Sequence, residues 1–250
     1  MNTLWKANPG AQEKVLSIDD SVYEICYGGA RGGGKTDAGI VWMLKGTIDP
    51  NFTGLVIRRN HTDLRQWLDR ARQLYKNAKF SGKPTVFSQF QGWSVQRLLL
   101  EEAGQIPREE DYLKLISSVR STNTIKPQIF ITANPGGPGH QWLLRRFKIG
   151  DKAPNLAFKD TISGRYRIYC PATIFDNPKL MEADPEYVQY LKSLPSPLKE
   201  AWLEGRWDIF AGQYFKEFDP AYHVMEVEDA KKLGYGNDNN NRYIGIDWGF

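Results

Sequence analysis

Two hydrophobic rhythms take turns along this chain. Val22-Tyr23-Glu24-Ile25-Cys26-Tyr27 alternates as a strand does. Thr53 to Ile57 is a short apolar run that leads into Arg58-Arg59 and reads as a buried strand. Val95 to Leu100 is another, interrupted by Gln96 and Arg97. Gln128 to Thr132 is a strand closed by the turn Asn134-Pro135-Gly136-Gly137-Pro138-Gly139, and Arg165 to Cys170 alternates again. Helical spacing fills the intervals. Thr36 to Leu44 has no Pro and one Gly, and Leu64, Trp67, Leu68, Ala71, Tyr75 and Ala78 recur on one helix face. Asp111 to Val119 reads as a helix with Leu113 and Ile116, beside Tyr112, turned inward. Pro185 to Leu194 reads as one with Tyr187, Tyr190, Leu191 and Leu194 on one side. Strands separated by helices predict an α/β fold with a central, mainly parallel sheet flanked by helices. Residues 81–94 carry no clear pattern, and 234–241 is a polar stretch that reads as a linker. Tyr243 to Asp247 then begins a new strand.

Composition narrows the class without choosing a function. Apolar content of 41% and charged content of 25% are ordinary for a globular protein. The first ten residues hold no apolar signal region, and no run approaches a membrane span. The two cysteines, Cys26 and Cys170, form neither a disulfide framework nor a metal cluster, so a reducing cytoplasm and no membrane are expected. The net charge of +4 is uneven: residues 1–212 carry +7 and residues 213–250 carry −3. That excess, with Arg65, Arg70, Arg72, Lys76 and Lys79 on one helix, is compatible with a polyanionic partner and equally with a solvated face.

The chemistry is concentrated in residues 29–36, G-A-R-G-G-G-K-T, which satisfy the phosphate-binding pattern G-x-x-x-x-G-K-[ST]. Gly29, Gly32, Gly33 and Gly34 let the backbone, with Ala30 and Arg31, fold tightly and turn N–H groups toward an anion. The following helix adds its positive end. Lys35 can reach the β- and γ-phosphates of ATP, and Thr36 can hold Mg²⁺. A strand before and a helix after are the context this motif requires, and the expected fold is a P-loop NTPase, of the additional-strand, catalytic-glutamate type.

Hydrolysis also needs acids. Leu98-Leu99-Leu100-Glu101-Glu102 is an apolar run ending in two adjacent carboxylates, expected on a strand neighbouring the loop strand. There Glu101 falls on the metal side and Glu102 near the attacking water. Thr132 and Asn134 end a further strand, where they can sense the γ-phosphate; an Asn-Pro turn with a capping Asn explains the same residues.

Taken together these segments resemble the large terminase subunit of tailed bacteriophages, the ATP-driven motor that packages viral DNA. The pieces come in the family's order: Gly10-Ala11-Gln12 as its adenine-recognition stretch, then Y-G-G-A-R-G-G-G-K-T (27–36) with an arginine inside the loop. Leu55 to Arg59 with Asp63-Leu64-Arg65, then L-L-L-E-E-A-G-Q-I-P (98–107), I-T-A-N-P-G-G (131–137), His140 and Trp142 follow. Phe175-Asp176-Asn177-Pro178 and Leu203-Glu204-Gly205-Arg206-Trp207-Asp208 match the close of its motor domain, and Y-I-G-I-D-W-G-F (243–250) the opening of its nuclease domain.

The resemblance implies that Gln12 contacts adenine and that Lys35 and Thr36 hold phosphate and Mg²⁺, with Arg31 near the γ-phosphate. It implies Glu102 as the catalytic carboxylate, Glu101 on the metal side, and Thr132 and Asn134 as the coupling pair. Asp247 would be the first metal-binding acid of an RNase H-like nuclease. Double-stranded DNA, a portal protein, the small terminase subunit and a ring of like subunits are the implied partners, in the cytoplasm of an infected host. A ring would take a transition-state arginine from a neighbour, for which Arg58 and Arg120 are candidates.

Three departures stand out. Glu101 occupies a position where the family usually has Asp. The stretch between Arg59 and Leu98 is short, leaving a strand of the sheet without clear pattern. The sequence stops three residues after Asp247, so a motor domain (1–212), a linker region (213–241) and only the first strand of a nuclease (242–250) are expected, with no nuclease activity. A nucleotide-binding module with little turnover and a helicase-like P-loop ATPase are the alternatives.

Overall fold

The computed structural model of the chain describes residues 5–47, 49–59, 63–75, 94–209 and 225–234. Strand β1 (Val22–Gly29) is the centre of the sheet, and all eight of its residues are buried rather than alternately exposed. A parallel strand covered on both faces has no solvent side to alternate with.

Around it stand β2 (Gly54–Ile57), β3 (Arg97–Leu100), β4 (Gln128–Ala133), β5 (Phe158–Lys159) and β6 (Tyr166–Ala172). They form one six-stranded sheet in the order β2-β3-β4-β1-β6-β5. Every pairing is parallel except the short edge strand β5 against β6. The acidic strand β3 is therefore not the neighbour of the loop strand that the sequence reading expected. β4 lies between them, which is the inserted strand of the expected fold type. β2 pairs directly with β3, Gly54 against Arg97 through Ile57 against Leu100; residues 60–62 and 76–93 of the poorly patterned stretch between them lie outside the described residues.

Helices α1 (Ala11–Leu16), α2 (Lys35–Leu44), α3 (Asp63–Tyr75), α4 (Glu109–Ile116) and α5 (His140–Phe147) accompany the sheet. One apolar layer joins Cys26, Leu98, Leu100, Ile129 and Ile131 to Tyr112, Trp142, Leu143 and Phe147. The opposite layer joins Ile25, Tyr27, Leu99 and Phe130 to Ala38, Ile40 and Trp42. Tyr112 is the residue of α4 that is fully buried, whereas Leu113, expected inside, is exposed. Gln96 and Arg97 do not break their strand. The Gln96 amide oxygen accepts the Thr53 N–H at 2.7 Å, and Arg97 lies over the Trp42 ring and reaches Asp20 at 3.0 Å.

A buried ion network closes the end of the sheet remote from the phosphate loop. Glu24 of β1 accepts from Arg146 at 2.6 and 2.8 Å, from Arg167 at 3.0 Å and from the Tyr112 hydroxyl at 2.6 Å. Arg146 continues to Glu109 and Arg167 to Asp160, so β1, α4, α5 and β6 share one set of charges.

After β6 come α6 (Pro178–Ala183), α7 (Pro185–Ser193) and a π-helical turn, Glu200–Glu204. They gather around a small core of Ile174, Val188, Leu191 and Leu203. Val188 joins Leu191 in that core, and Tyr190, placed by spacing on the same side as Leu191, is exposed. Residues Met1–Ala211 form one compact unit; Gly212–Phe250 form another, whose described part is α8 (Val227–Lys232). Among the described residues no helix is long and apolar enough to cross a membrane. Ala78, most of the unpatterned stretch 81–94, the stretch 235–241 and the final strand with Asp247 lie outside the described residues.

Candidate functional site

Three neighbouring strands, β1, β4 and β3, end on the same side of the sheet, and every turn that leaves those ends is strained or closely packed. Gly29 has φ 134°, and a Cβ there would stand 2.2 Å from the Ala172 carbonyl oxygen. Only glycine fits. Gly34, at φ 72°, caps α2, so Lys35 and Thr36 form the first turn of that helix. The Lys35 ammonium donates back to the Ala30 carbonyl, closing the loop on itself. Burial, and then the nearby Arg31 charge, lower the Lys35 pKa to about 8.

The β3 end presents the two acids differently. Glu101 is buried, 1% exposed, and no group stands within ordinary hydrogen-bond geometry of its carboxylate oxygens, the Thr36 hydroxyl being a neighbour that still favours the charged form. Burial raises its pKa to about 7, with Arg58, at 3.8 Å, the Thr36 hydroxyl and Lys35 working against it. Glu102 turns out of the strand in the left-handed region, φ 54° and ψ 45°, a conformation that strains a non-glycine residue and recurs at functional sites. Its N–H donates to the Thr132 hydroxyl at 3.1 Å. Its carboxylate accepts from Arg58 and, at 2.6 Å, from Gln105.

On β4, Thr132 is thereby placed against Glu102, and Asn134 has an amide oxygen that is buried without a partner. His140 follows at the start of α5. Its Nδ1 accepts the Gly136 N–H at 2.9 Å, which leaves Nε2 as the protonated nitrogen facing the Trp207 carbonyl at 3.0 Å. Burial lowers its pKa, so the ring is a neutral brace for the turn after β4.

These residues surround a cavity of about 500 Å³, lined by Gly32, Gly33, Gly34, Lys35, Thr36, Arg31, Glu102, Thr132 and Asn134. Gln12, Asn8, Trp5, Asn177, Lys179 and Tyr187 line it as well. That volume suits a drug- or cofactor-sized ligand. A second cavity of about 280 Å³ adjoins it and shares Arg31, Glu102 and Asn134. Glu101 lies behind the lining of both rather than in it. The buried Glu101 carboxylate beside the Thr36 hydroxyl is nonetheless an oxygen donor set of the kind a hard divalent cation takes, directly or through water.

Of the residues singled out from sequence, the loop, Glu102, Thr132, Asn134 and Gln12 are brought together. Arg31 is exposed and stacked on Trp202. Arg58 serves its own chain, at the acidic pair, whereas Arg120 sits at the other end of β3, its N–H bonded to Val95. Asn8, Tyr27, Asn177 and Trp202 went unassigned. Tyr27, which opens the quoted 27–36 stretch, and Asn177, inside the quoted Phe175-Asp176-Asn177-Pro178, carried a signal in sequence.

Neither a protein-family model nor a curated protein matches the chain. Among solved structures, a large terminase from a thermophilic bacteriophage is similar at 17% identity and a TM-score of 0.60, covering 86% of this chain and 57% of that one. The large terminase ATPase domain of a Thermus phage is similar at 14% identity and a TM-score of 0.51, covering 79% of this chain and 93% of that domain. The chain thus spans a little over half the length of the first and nearly all of the second. At these identities the likeness is one of fold: the chain has the fold of phage large terminase ATPase domains.

Proposed function

We propose that this chain is a P-loop ATPase, the motor part of a viral DNA-packaging terminase, which couples ATP hydrolysis to movement of double-stranded DNA. The observation that supports it most is the meeting of the phosphate loop, Glu102 and the Thr132–Asn134 strand end on one cavity, with Glu101 directly behind. Loop N–H groups and Lys35 bind the β- and γ-phosphates, and Thr36 with Glu101 holds Mg²⁺, which when bound neutralises charge developing on the phosphates. Glu102 orients the attacking water, and Thr132, bonded to the Glu102 backbone, passes the state of the site along β4. A portal protein, a small terminase subunit and neighbouring copies in a ring belong to the same proposal, as does a nuclease half beginning at Asp247.

One observation favours a second reading, a nucleotide-binding module with little turnover: the Glu102 carboxylate is already engaged by Arg58 and Gln105. Steady-state ATP hydrolysis, with and without linear double-stranded DNA, separates the two. Turnover that DNA stimulates and that Glu102→Gln removes supports the motor. ATP binding without turnover supports the module.

A further inference from the structure

Arg70 belongs by spacing to the basic side of α3, yet its guanidinium reaches the wall of the larger cavity. Its helix is firmly seated. Trp67 and Ala71 share a buried cluster with Ala38 and Ile40 of α2, and the Tyr75 hydroxyl donates to the Ile40 carbonyl at 2.7 Å. From the flank of that seam Arg70 grips Asp37 with a two-pronged fork. Its Nε donates to Asp37 Oδ1 at 2.8 Å and its Nη2 to Asp37 Oδ2 at 2.5 Å. Both residues line the cavity that holds the phosphate loop. Arg72, by contrast, pairs with Asp69 on the exposed surface.

Asp37 is an awkward neighbour for a nucleotide. It follows Thr36 in the first turn of α2, where the positive end of the helix favours an acid. A triphosphate held by the loop arrives at the same end, and a carboxylate there repels it. Arg70 cancels that charge without being used up by it. A guanidinium carries five N–H groups. Two of them go to Asp37 and one to Gln73 at 3.2 Å. One N–H on Nη1 and one on Nη2 remain.

Stability alone gives little reason for this pair. The two side chains are 42% and 25% exposed, and an ion pair so open to water contributes little to folding. What the fork does achieve is a fixed guanidinium plane at the cavity wall, carried on a packed helix. The charge of the lining points the same way. Four cations, Arg31, Lys35, Arg70 and Lys179, stand against two acids, Asp37 and Glu102. The excess suits a polyanion, and Arg70 adds to it a cation that does not deprotonate.

We infer that Arg70, oriented by Asp37, is a phosphate-binding residue of the nucleotide site, which adds a donor from α3 to the cradle made by the loop. The inference rests on the nucleotide-site reading above.

The test is calorimetric titration, with Mg²⁺, of ATP and of inorganic tripolyphosphate into wild type, Arg70→Ala, Asp37→Asn and the double variant. Arg70→Ala is expected to weaken both ligands alike, by about tenfold or more, as loss of a charge-assisted hydrogen bond does. The same loss is expected when Arg70→Ala is made on top of Asp37→Asn. There no carboxylate is left to neutralise, so the loss reads the phosphate contact itself. Should Arg70→Ala fail to fold, Arg70→Gln, which keeps most of the side chain, carries the same expectation. Unchanged affinity in Arg70→Ala, a loss that spares tripolyphosphate, or a loss that vanishes in the Asp37→Asn background overturns the inference while leaving the nucleotide site standing. If wild type binds neither ligand, the nucleotide-site reading falls and this inference with it.

Discussion

The Arg31 guanidinium lies 3.4 Å from the centre of the Trp202 ring, and the Arg31 N–H donates to the Trp202 carbonyl at 2.8 Å. Backbone and side chain of one loop residue are thus held by one residue of the π-helical turn. The same turn ends at Gly205, where a Cβ would come within 2.6 Å of the Ala30 nitrogen. The turn is seated on the phosphate loop at two points.

Trp202→Ala frees the Arg31 side chain. A cation–π contact is worth about 0.5–2 kcal/mol, so the rate of ATP hydrolysis is expected to fall roughly two- to thirtyfold, with Trp202→Phe close to wild type. Thermal melting is measured alongside. A lower melting temperature with an unchanged rate would mean that the stack serves stability alone.

Gly205→Ala places a methyl group against loop backbone in a residue at φ 70°. Left-handed strain and the close approach together cost about 1–3 kcal/mol. Urea unfolding should show that loss, and triphosphate binding should weaken with it, because the displaced neighbours are Gly29 and Ala30. Unchanged unfolding would contradict the seating of the turn.

Glu24→Gln removes the charge that Arg146 and Arg167 share at the far end of β1. Breaking a buried pair from one side leaves uncompensated charge and costs about 3–5 kcal/mol. Denaturant midpoints measure it. The site is remote from the loop, so the folded fraction should bind ATP as wild type does.

Sequence rhythm located the strands and the phosphate loop because those depend on local pattern: Gly29 and Gly34 are where the backbone needs glycine, and the Leu98 to Leu100 run ends where the acids begin. Strand order was not legible, since nothing in β1 or β3 says that β4 stands between them. Spacing also failed on α4, where a helix that buries Tyr112 against Glu24 turns Leu113 outward. The Arg70–Asp37 fork was hidden for a different reason. The two residues are 33 positions apart, and an arginine's partner is set by the fold rather than by its neighbours in the chain.

Burial brings the Lys35 pKa to about 8, so above that pH the ammonium is increasingly neutral in the free protein. Phosphate binding requires the charged form and therefore takes up a proton there. Triphosphate affinity is expected to hold below pH 7 and to fall toward about tenfold per pH unit above pH 8. Calorimetry in buffers of different ionisation heat reads the proton directly. No uptake at pH 9 would show that Lys35 remains charged without ligand.

Glu101 has the opposite sign. Its pKa rises from the ordinary 4.5 to about 7 because burial disfavours the carboxylate. A raised folded pKa means that the folded state keeps its advantage below the unfolded value and loses it as pH climbs through the folded one. The ligand-free protein should therefore lose stability between pH 4.5 and 7, by about 3 kcal/mol when the loss is complete. Glu101→Gln, neutral at every pH, removes that dependence. The variant should be more stable than wild type by about 3 kcal/mol at pH 8 and by under about 1 kcal/mol at pH 5, in urea titrations without nucleotide or magnesium. Equal stability differences at the two pH values would mean that Glu101 is already ionised in the folded protein. The expected outcome ties the penalty to function: a carboxylate kept buried and unsolvated at a strand end destabilises the ligand-free fold, and a cation bound beside it reverses that penalty.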